Sequence, residues 1–249
     1  VPAKEQLRRA LRTVGLEARA VALKRAFEPA HTTQDRRDHE ALASIFAAAL
    51  APDACCIDVG AHTGDVLAEM VRIAPRGRHI GFEPLPALAA ALQKRLPGVE
   101  VRTVALGDAP GDAPFTHVLD RPGWSGLKAR PTPDGGAART ETIAVTVERL
   151  DDALPDDYVP ALIKIDVEGA ELGVLRGARA TLTAHHPLIV FEHGLGSADH
   201  HGTSPDDVHD LLTGLDYRIF DLQGNGPYDR AAFAHAFHTA SRVNFLARP

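Results

Sequence analysis

The stretch Ile57-Asp58-Val59-Gly60-Ala61-His62-Thr63-Gly64 decides how the rest of the chain reads. An apolar run, Ala54–Asp58, closes on an aspartate, and glycines follow at 60 and 64. A short apolar run stopped by turn residues predicts a buried strand. Glycine lets the backbone turn tightly and lets a ligand approach the main chain. The second glycine opens a helix whose first amides have no partners within the helix. Strand, glycine turn and helix together begin an open α/β sheet.

The same alternation continues outward. Gly64–Ala74 reads as a helix, Arg78–Phe82 as a strand, Leu85–Leu96 as a helix and Val99–Leu106 as a strand. It pauses over an insertion at about 109–150, where 120–139 is a Pro-, Gly- and Arg-rich loop and the flanks Pro114–Leu119 and Glu141–Val147 read as hairpin strands. It resumes with strand Ala161–Asp166, helix Ala170–Thr183, strand Pro187–Glu192 and helix Pro205–Leu215. Tyr217–Asp221 and Val243–Ala247 read as final strands, the last pair antiparallel. Before the first strand, 4–27 and 34–50 have helical spacing. The expected organisation is an N-terminal helical extension over 1–52 and an α/β domain over 53–249, mostly parallel, with helices on both faces.

A formal charge of −6 gives no basic surplus for nucleic acid, so no nucleic-acid partner is expected. No run approaches the ~18 apolar residues of a membrane span, and the first thirty residues lack an apolar signal core. Cys55 and Cys56 are the only cysteines. Adjacent strand residues point to opposite faces, so the two are read as packing residues rather than a disulfide or a zinc site. A cytoplasmic location fits these features.

In an open α/β sheet, ligands bind beyond the carboxyl ends of the strands. The first of these ends has G-x-x-x-G spacing, not the G-x-G-x-x-G of a pyrophosphate site. Asp58 is a poor neighbour for a phosphate but suits a ligand with an ammonium group, and S-adenosylmethionine has such an end and no phosphate. Strand two ends at Glu83-Pro84. A carboxylate there can accept both hydroxyl hydrogens of a ribose. Asp108, ending strand three, is a weaker candidate for the adenine amine, and a plain turn aspartate is its equal alternative. Strands four and five end in Asp166-Val167-Glu168 and Glu192-His193. In a 3-2-1-4-5 sheet these ends lie beside the first turn.

These segments resemble the FkbM family of methyltransferases. The matching pieces are Ile57–Gly64, Phe82-Glu83-Pro84, Ala105-Leu106-Gly107-Asp108, Leu150-Asp151-Asp152, Ile163–Glu171, Val174–Ala178 and Phe191-Glu192, in the family's order over about 54–193. His62 stands where the family more often has asparagine. The resemblance implies a Rossmann-like class I methyltransferase fold with sheet order 3-2-1-4-5-7-6. It implies O-methylation of a hydroxyl on a sugar or sugar-containing secondary metabolite. It places Asp58, Gly60 and Gly64 at the methionine end of S-adenosylmethionine and Glu83 at the ribose, and His62, Pro84, Asp108 and Asp166 are further candidate cofactor-binding residues. By the same analogy Ser125, on the insertion, reaches the cofactor, although Trp124-Ser125-Gly126 reads equally as an ordinary loop tip.

An acceptor hydroxyl must lose its proton as the new bond forms. His193 is the preferred general base because its ordinary pKa lies near neutrality. Asp166, Glu192 and His193 are also laid out like the magnesium ligands of catechol-type methyltransferases, which leaves a Mg2+-assisted reaction open. Glu168, His193, His200 and His201 are the candidate acceptor-binding residues. Two alternatives on the same sheet are an NAD(P)-dependent oxidoreductase and a non-catalytic carbohydrate-binding protein. A homodimer through the N-terminal helices is a further expectation.

Overall fold

The computed structural model describes residues 30–129 and 138–249, with side chains from residue 37 onward. The expected helix at 4–27 lies outside the described residues. The chain divides into two compact units, residues 1–43 and 44–249, and the sheets and cavities belong to the second. Helix α1 is Ala30–Ala49. Among the described residues no helix is long and apolar enough to cross a membrane.

The elements that follow are β1 (Cys55–Val59), α2 (Asp65–Ile73), β2 (His79–Phe82), α3 (Pro86–Arg95), β3 (Glu100–Arg102), β4 (Ala105–Leu106) and β5 (Gly111–Val118). A single 3-10 turn, Pro122–Trp124, precedes β6 (Thr140–Glu148), α4 (Leu150–Ala153), β7 (Pro160–Ile165), α5 (Glu171–Gly177), α6 (Arg179–His185) and β8 (Leu188–Glu192). A second 3-10 turn, Ala198–His201, leads to α7 (Pro205–Thr213), β9 (Arg218–Asp221), α8 (Arg230–His238) and β10 (Asn244–Arg248).

The main sheet has seven strands in the order β3-β2-β1-β7-β8-β10-β9. The first five are parallel, and β10 runs antiparallel to β8 and β9. Strand β1 is central and buried from Cys56 to Val59. Ile57, Val59, Ile163, Ile165 and Phe191 form the middle of the main hydrophobic core. Strands buried on both faces read as continuous apolar runs, which is how Cys55–Ile57 and Leu188–Phe191 appear in the sequence. The two thiols are free, and burial with the neighbouring Cys55 pushes Cys56 up to about 12.

Two expected elements are each divided. The strand expected over Val99–Leu106 splits into β3, which joins the main sheet beside β2, and β4, which joins a separate three-stranded sheet, β4-β6-β5. The helix expected over Ala170–Thr183 splits into α5 and α6. The Asp151 carboxylate accepts hydrogen bonds from the amides of Ala180 (2.9 Å) and Thr181 (2.9 Å) and from the Thr181 hydroxyl (2.8 Å). That cap starts a new helix, because a helix's first amides need acceptors from outside it. Asp151→Ala is expected to cost about 1–2 kcal/mol, read as a lower urea midpoint. An unchanged midpoint would mean that α6 does not depend on this cap.

Candidate functional site

The first glycine turn is held from both sides of β1. The amides of Gly60 and Ala61 donate to the Phe82 carbonyl, each at 3.0 Å, and the Asp166 amide donates to the Val59 carbonyl at 3.0 Å. Gly60 has φ 78°, and a Cβ there would run into the Asp166 backbone carbonyl. Gly64 has φ 79° and caps α2. Between them His62 has φ 47°. Histidine, like asparagine, is enriched among the non-glycine residues that adopt this left-handed region.

Beyond the carboxyl ends of β1, β2 and β7 this turn borders a cavity of about 270 Å3. Its floor includes Asp58, Lys164 and Asp166, and Glu83 and Glu168 line its sides. The small sheet supplies the apolar wall, including Phe115, with Leu127 just beyond the 3-10 turn. Gly60, His62, Pro84 and Ser125 also border it, whereas Gly64 shapes the turn from just outside.

Glu83 is buried. Its Oε2 accepts from the His62 amide (2.8 Å) and its Oε1 from the Leu85 amide (2.9 Å). Burial raises its pKa, and the two amides offset part of that rise. Each carboxylate oxygen can accept a second donor, so two adjacent hydroxyls remain within its capacity. Ser125 is buried and its Oγ accepts from the Val118 amide at 2.9 Å, so it fastens the hairpin end that covers the cavity.

Strand register assembles the floor. Asp58 on β1 and Lys164 on β7 are direct partners in the parallel pair. Asp166, two residues past Lys164, shares its face. The Lys164 ammonium lies 3.5 Å from Asp58 Oδ1 and 3.1 Å from Asp166 Oδ2. Burial works against the Lys164 charge, but Asp166 and Asp58 outweigh it and hold its pKa above the ordinary lysine value. Burial in turn raises the pKa of Asp58, with Lys164 pulling against it.

The turn after β7 is braced by a residue without a predicted role. Glu171 is buried, and its Oε1 accepts from the amides of Gly169 (3.0 Å) and Val167 (3.2 Å). Burial pushes its pKa up to about 7. It holds Glu168 in a left-handed conformation, φ 59°, at the cavity edge. The sequence clue to Lys164 is a lysine inside the otherwise apolar strand Leu162–Ile165. Glu171 gives a comparable clue as a carboxylate at the start of a helix with a buried face.

His193 is placed differently from the expectation. Its ring is fully buried, stacked on Phe233 (5.8 Å, 10°) and tilted against Phe237 (4.9 Å). Burial lowers its pKa to about 4. A ring enclosed by the core cannot reach an acceptor hydroxyl, so the general-base, substrate and metal-ligand roles expected of His193 are corrected. Asp166, Glu192 and His193 are therefore not brought together as the trio expected to hold magnesium. Among the described residues no three His, Cys, Asp or Glu side chains form a metal-holding group. Glu192 sits behind the floor, and burial together with Asp166, Glu168 and Glu171 pushes its pKa well above the ordinary value.

Asp108, His200 and His201 also lie away from the main cavity. Asp108 is exposed and 3.8 Å from Arg176, on the edge of a second cavity of about 320 Å3. His201 lines that second cavity, with its backbone carbonyl accepting from Lys128 at 3.3 Å. His200 is exposed beside Asp199.

A family model described as the methyltransferase FkbM domain matches residues 58–219. Methyltransferase sdnD of Sordaria araneosa is 30% identical over 155 residues, covering 49% of this chain and 59% of its own. Methyltransferase 1 of Beauveria bassiana is 30% identical over 145 residues, covering 50% and 58%. The chain thus spans about three fifths of the length of these curated relatives. The crystal structure of methyltransferase FkbM from Methylobacillus flagellatus KT matches at 19% identity with a TM-score of 0.51, over 80% of this chain and 44% of its own. That likeness bears on the fold.

Proposed function

The chain belongs to the FkbM methyltransferase family, and from that premise we propose that the cavity beside the glycine turn binds S-adenosylmethionine and that it O-methylates a hydroxyl of a sugar or sugar-containing metabolite. The observation that carries this reading is the pairing of Asp58 and Glu83 at the ends of neighbouring strands, across a glycine turn too tight for any Cβ at residue 60. Asp58 Oδ1 makes no hydrogen bond, and its ion pair with Lys164 is 3.5 Å long, so it keeps capacity for a ligand's ammonium, and Glu83 fits a ribose diol.

When bound, S-adenosylmethionine supplies a methyl group already activated on a sulfonium. The chain's own work is then mostly placement. Glu83 and the turn amides orient the nucleoside. Phe115 and Leu127 form an apolar wall that limits water beside the reacting centre. Asp166, at the cavity end of β7, accepts the hydrogen bond of the incoming hydroxyl and takes its proton as the carbon–oxygen bond forms and the carbon–sulfur bond breaks. The saccharide preference rests on Asp166 and Glu168, two carboxylates that can accept from neighbouring hydroxyls.

Adenosylhomocysteine is expected to raise the melting temperature of the chain, whereas NAD is not. Methyl transfer from labelled donor to a saccharide panel tests the acceptor class. Failure of adenosylhomocysteine to bind would defeat the cofactor reading. Failure of every saccharide with a binding-competent protein would defeat only the acceptor. Glu83→Ala is expected to weaken adenosylhomocysteine binding about tenfold or more. Asp166→Ala, in contrast, is expected to lower kcat about a hundredfold with affinity nearly retained. Parallel loss of affinity in both variants would reject the division of roles between the two carboxylates.

A further inference from the structure

We propose that Lys164 is the positioning residue for the amino-acid end of the methyl donor, acting through Asp58. The inference rests on the reading of the cavity beside the glycine turn as the S-adenosylmethionine site. Lys164 stands in a strand whose neighbours in sequence, Ile163 and Ile165, are core residues. A lysine placed there at random would have to leave its charge unpaired, at high cost. Instead the parallel register sets it beside Asp58, and the step of two residues sets Asp166 on its other side.

The consequence concerns Asp58 most directly. Its side chain is 1% exposed, and Lys164 is the cation that faces it. Burial disfavours the charged form of such a carboxylate, and the neighbouring ammonium is the largest effect opposing it. Without the ammonium its charged form would be less favoured, and so would its hold on the ligand's ammonium. Asp166 at 3.1 Å shares the same cation but is 37% exposed, so water offsets part of any loss there. Lys164 thereby fixes the charge and direction of a cavity carboxylate that bulk water cannot solvate. It makes no claim on the nucleoside, which Glu83 and the apolar wall hold from the other end of the cavity.

That separation supplies the test. Adenosylhomocysteine carries both the nucleoside and the amino-acid end. 5′-Methylthioadenosine carries the nucleoside alone. Calorimetric titration of both ligands into the intact chain and into Lys164→Met is expected to show adenosylhomocysteine weakened about tenfold or more, with methylthioadenosine unchanged within about twofold. Asp58→Asn is expected to give the same pattern. The double variant is expected to lose no more than either single one, because both changes remove one interaction. If Lys164→Met does not fold, Lys164→Gln is read the same way.

Retained adenosylhomocysteine affinity in the lysine variant would overturn the inference. So would an equal loss for both ligands, which would make Lys164 a residue of the fold alone, or additive losses in the double variant. If the unaltered chain binds neither ligand, the cofactor reading itself falls and takes this inference with it. If it binds both and only the variant pattern fails, the cofactor reading stands and the role of Lys164 does not.

Discussion

A Gly60→Ala variant is expected to lose about 2–5 kcal/mol of stability and, with it, measurable binding of adenosylhomocysteine. Two costs add at this position. The residue is held at φ 78°, where a side chain strains the backbone. The new Cβ would also strike the Asp166 carbonyl, a backbone atom that cannot swing aside. The Asp166 amide is bonded to the Val59 carbonyl, so the two strand ends could separate only by breaking the pair that closes the cavity floor. Gly64→Ala provides the comparison. Its φ is 79°, but the obstructing atom is the tip of the Leu92 side chain, which can rotate away. It is expected to cost about 1–2 kcal/mol, the backbone part alone. Urea midpoints for the two variants decide the matter, and equal losses would reject the steric argument at residue 60.

Acid is expected to destabilise the chain through His193. The ring is buried neutral, with a pKa near 4 against an ordinary value of 6.5. Between those values the unfolded chain binds the proton and the folded one does not. The stability gained from the buried neutral ring is therefore complete above about pH 6.5 and falls as the pH drops toward 4. From pH 7.5 to 4.5 the loss from this one group amounts to about 2–3 kcal/mol. Phenylalanine can stack on Phe233 and Phe237 without a proton to bind. Unfolding free energies at the two pH values should therefore differ less in His193→Phe than in the parent, by about that amount. The same dependence in both proteins would show that the histidine does not titrate in this way. Retained methyl transfer in the variant is also expected, since the ring lies in the core.

The glycine turn could be read before the structure because its chemistry is local. Gly60, Gly64 and Asp58 are needed where they stand for reasons contained within a few residues, and Glu83 follows from its place after the next strand. The departures all came from partners distant in sequence. Val99–Leu106 has strand character throughout, and only the pairing of Ala105 with Val147 reveals that its second half leaves for another sheet. The break between α5 and α6 comes from Asp151, nearly thirty residues before the amides it caps. His193 looked available because it follows a strand end, where ligands are expected. The segment that encloses it, α8 with Phe233 and Phe237, lies some forty residues further along the chain. Lys164 was visible as a charged residue in an apolar strand, but the register that gives it two carboxylates is a property of the sheet.

The hairpin of β5 and β6 has a consequence for how such a molecule can diversify. Its strands pair with each other from Gly111 opposite Val147 to Val118 opposite Thr140, within a sheet separate from the one that carries Asp58, Glu83 and Lys164. Lengthening a connection between paired strands adds only about 0.6 kcal/mol for each doubling. The hairpin can therefore be resized or exchanged while the seven-stranded register stays intact. Phe115 and Leu127 would change with it, and Asp58 and Glu83 would not. Descendants of one ancestral chain could thus acquire differently shaped pockets while inheriting the same grip on the donor.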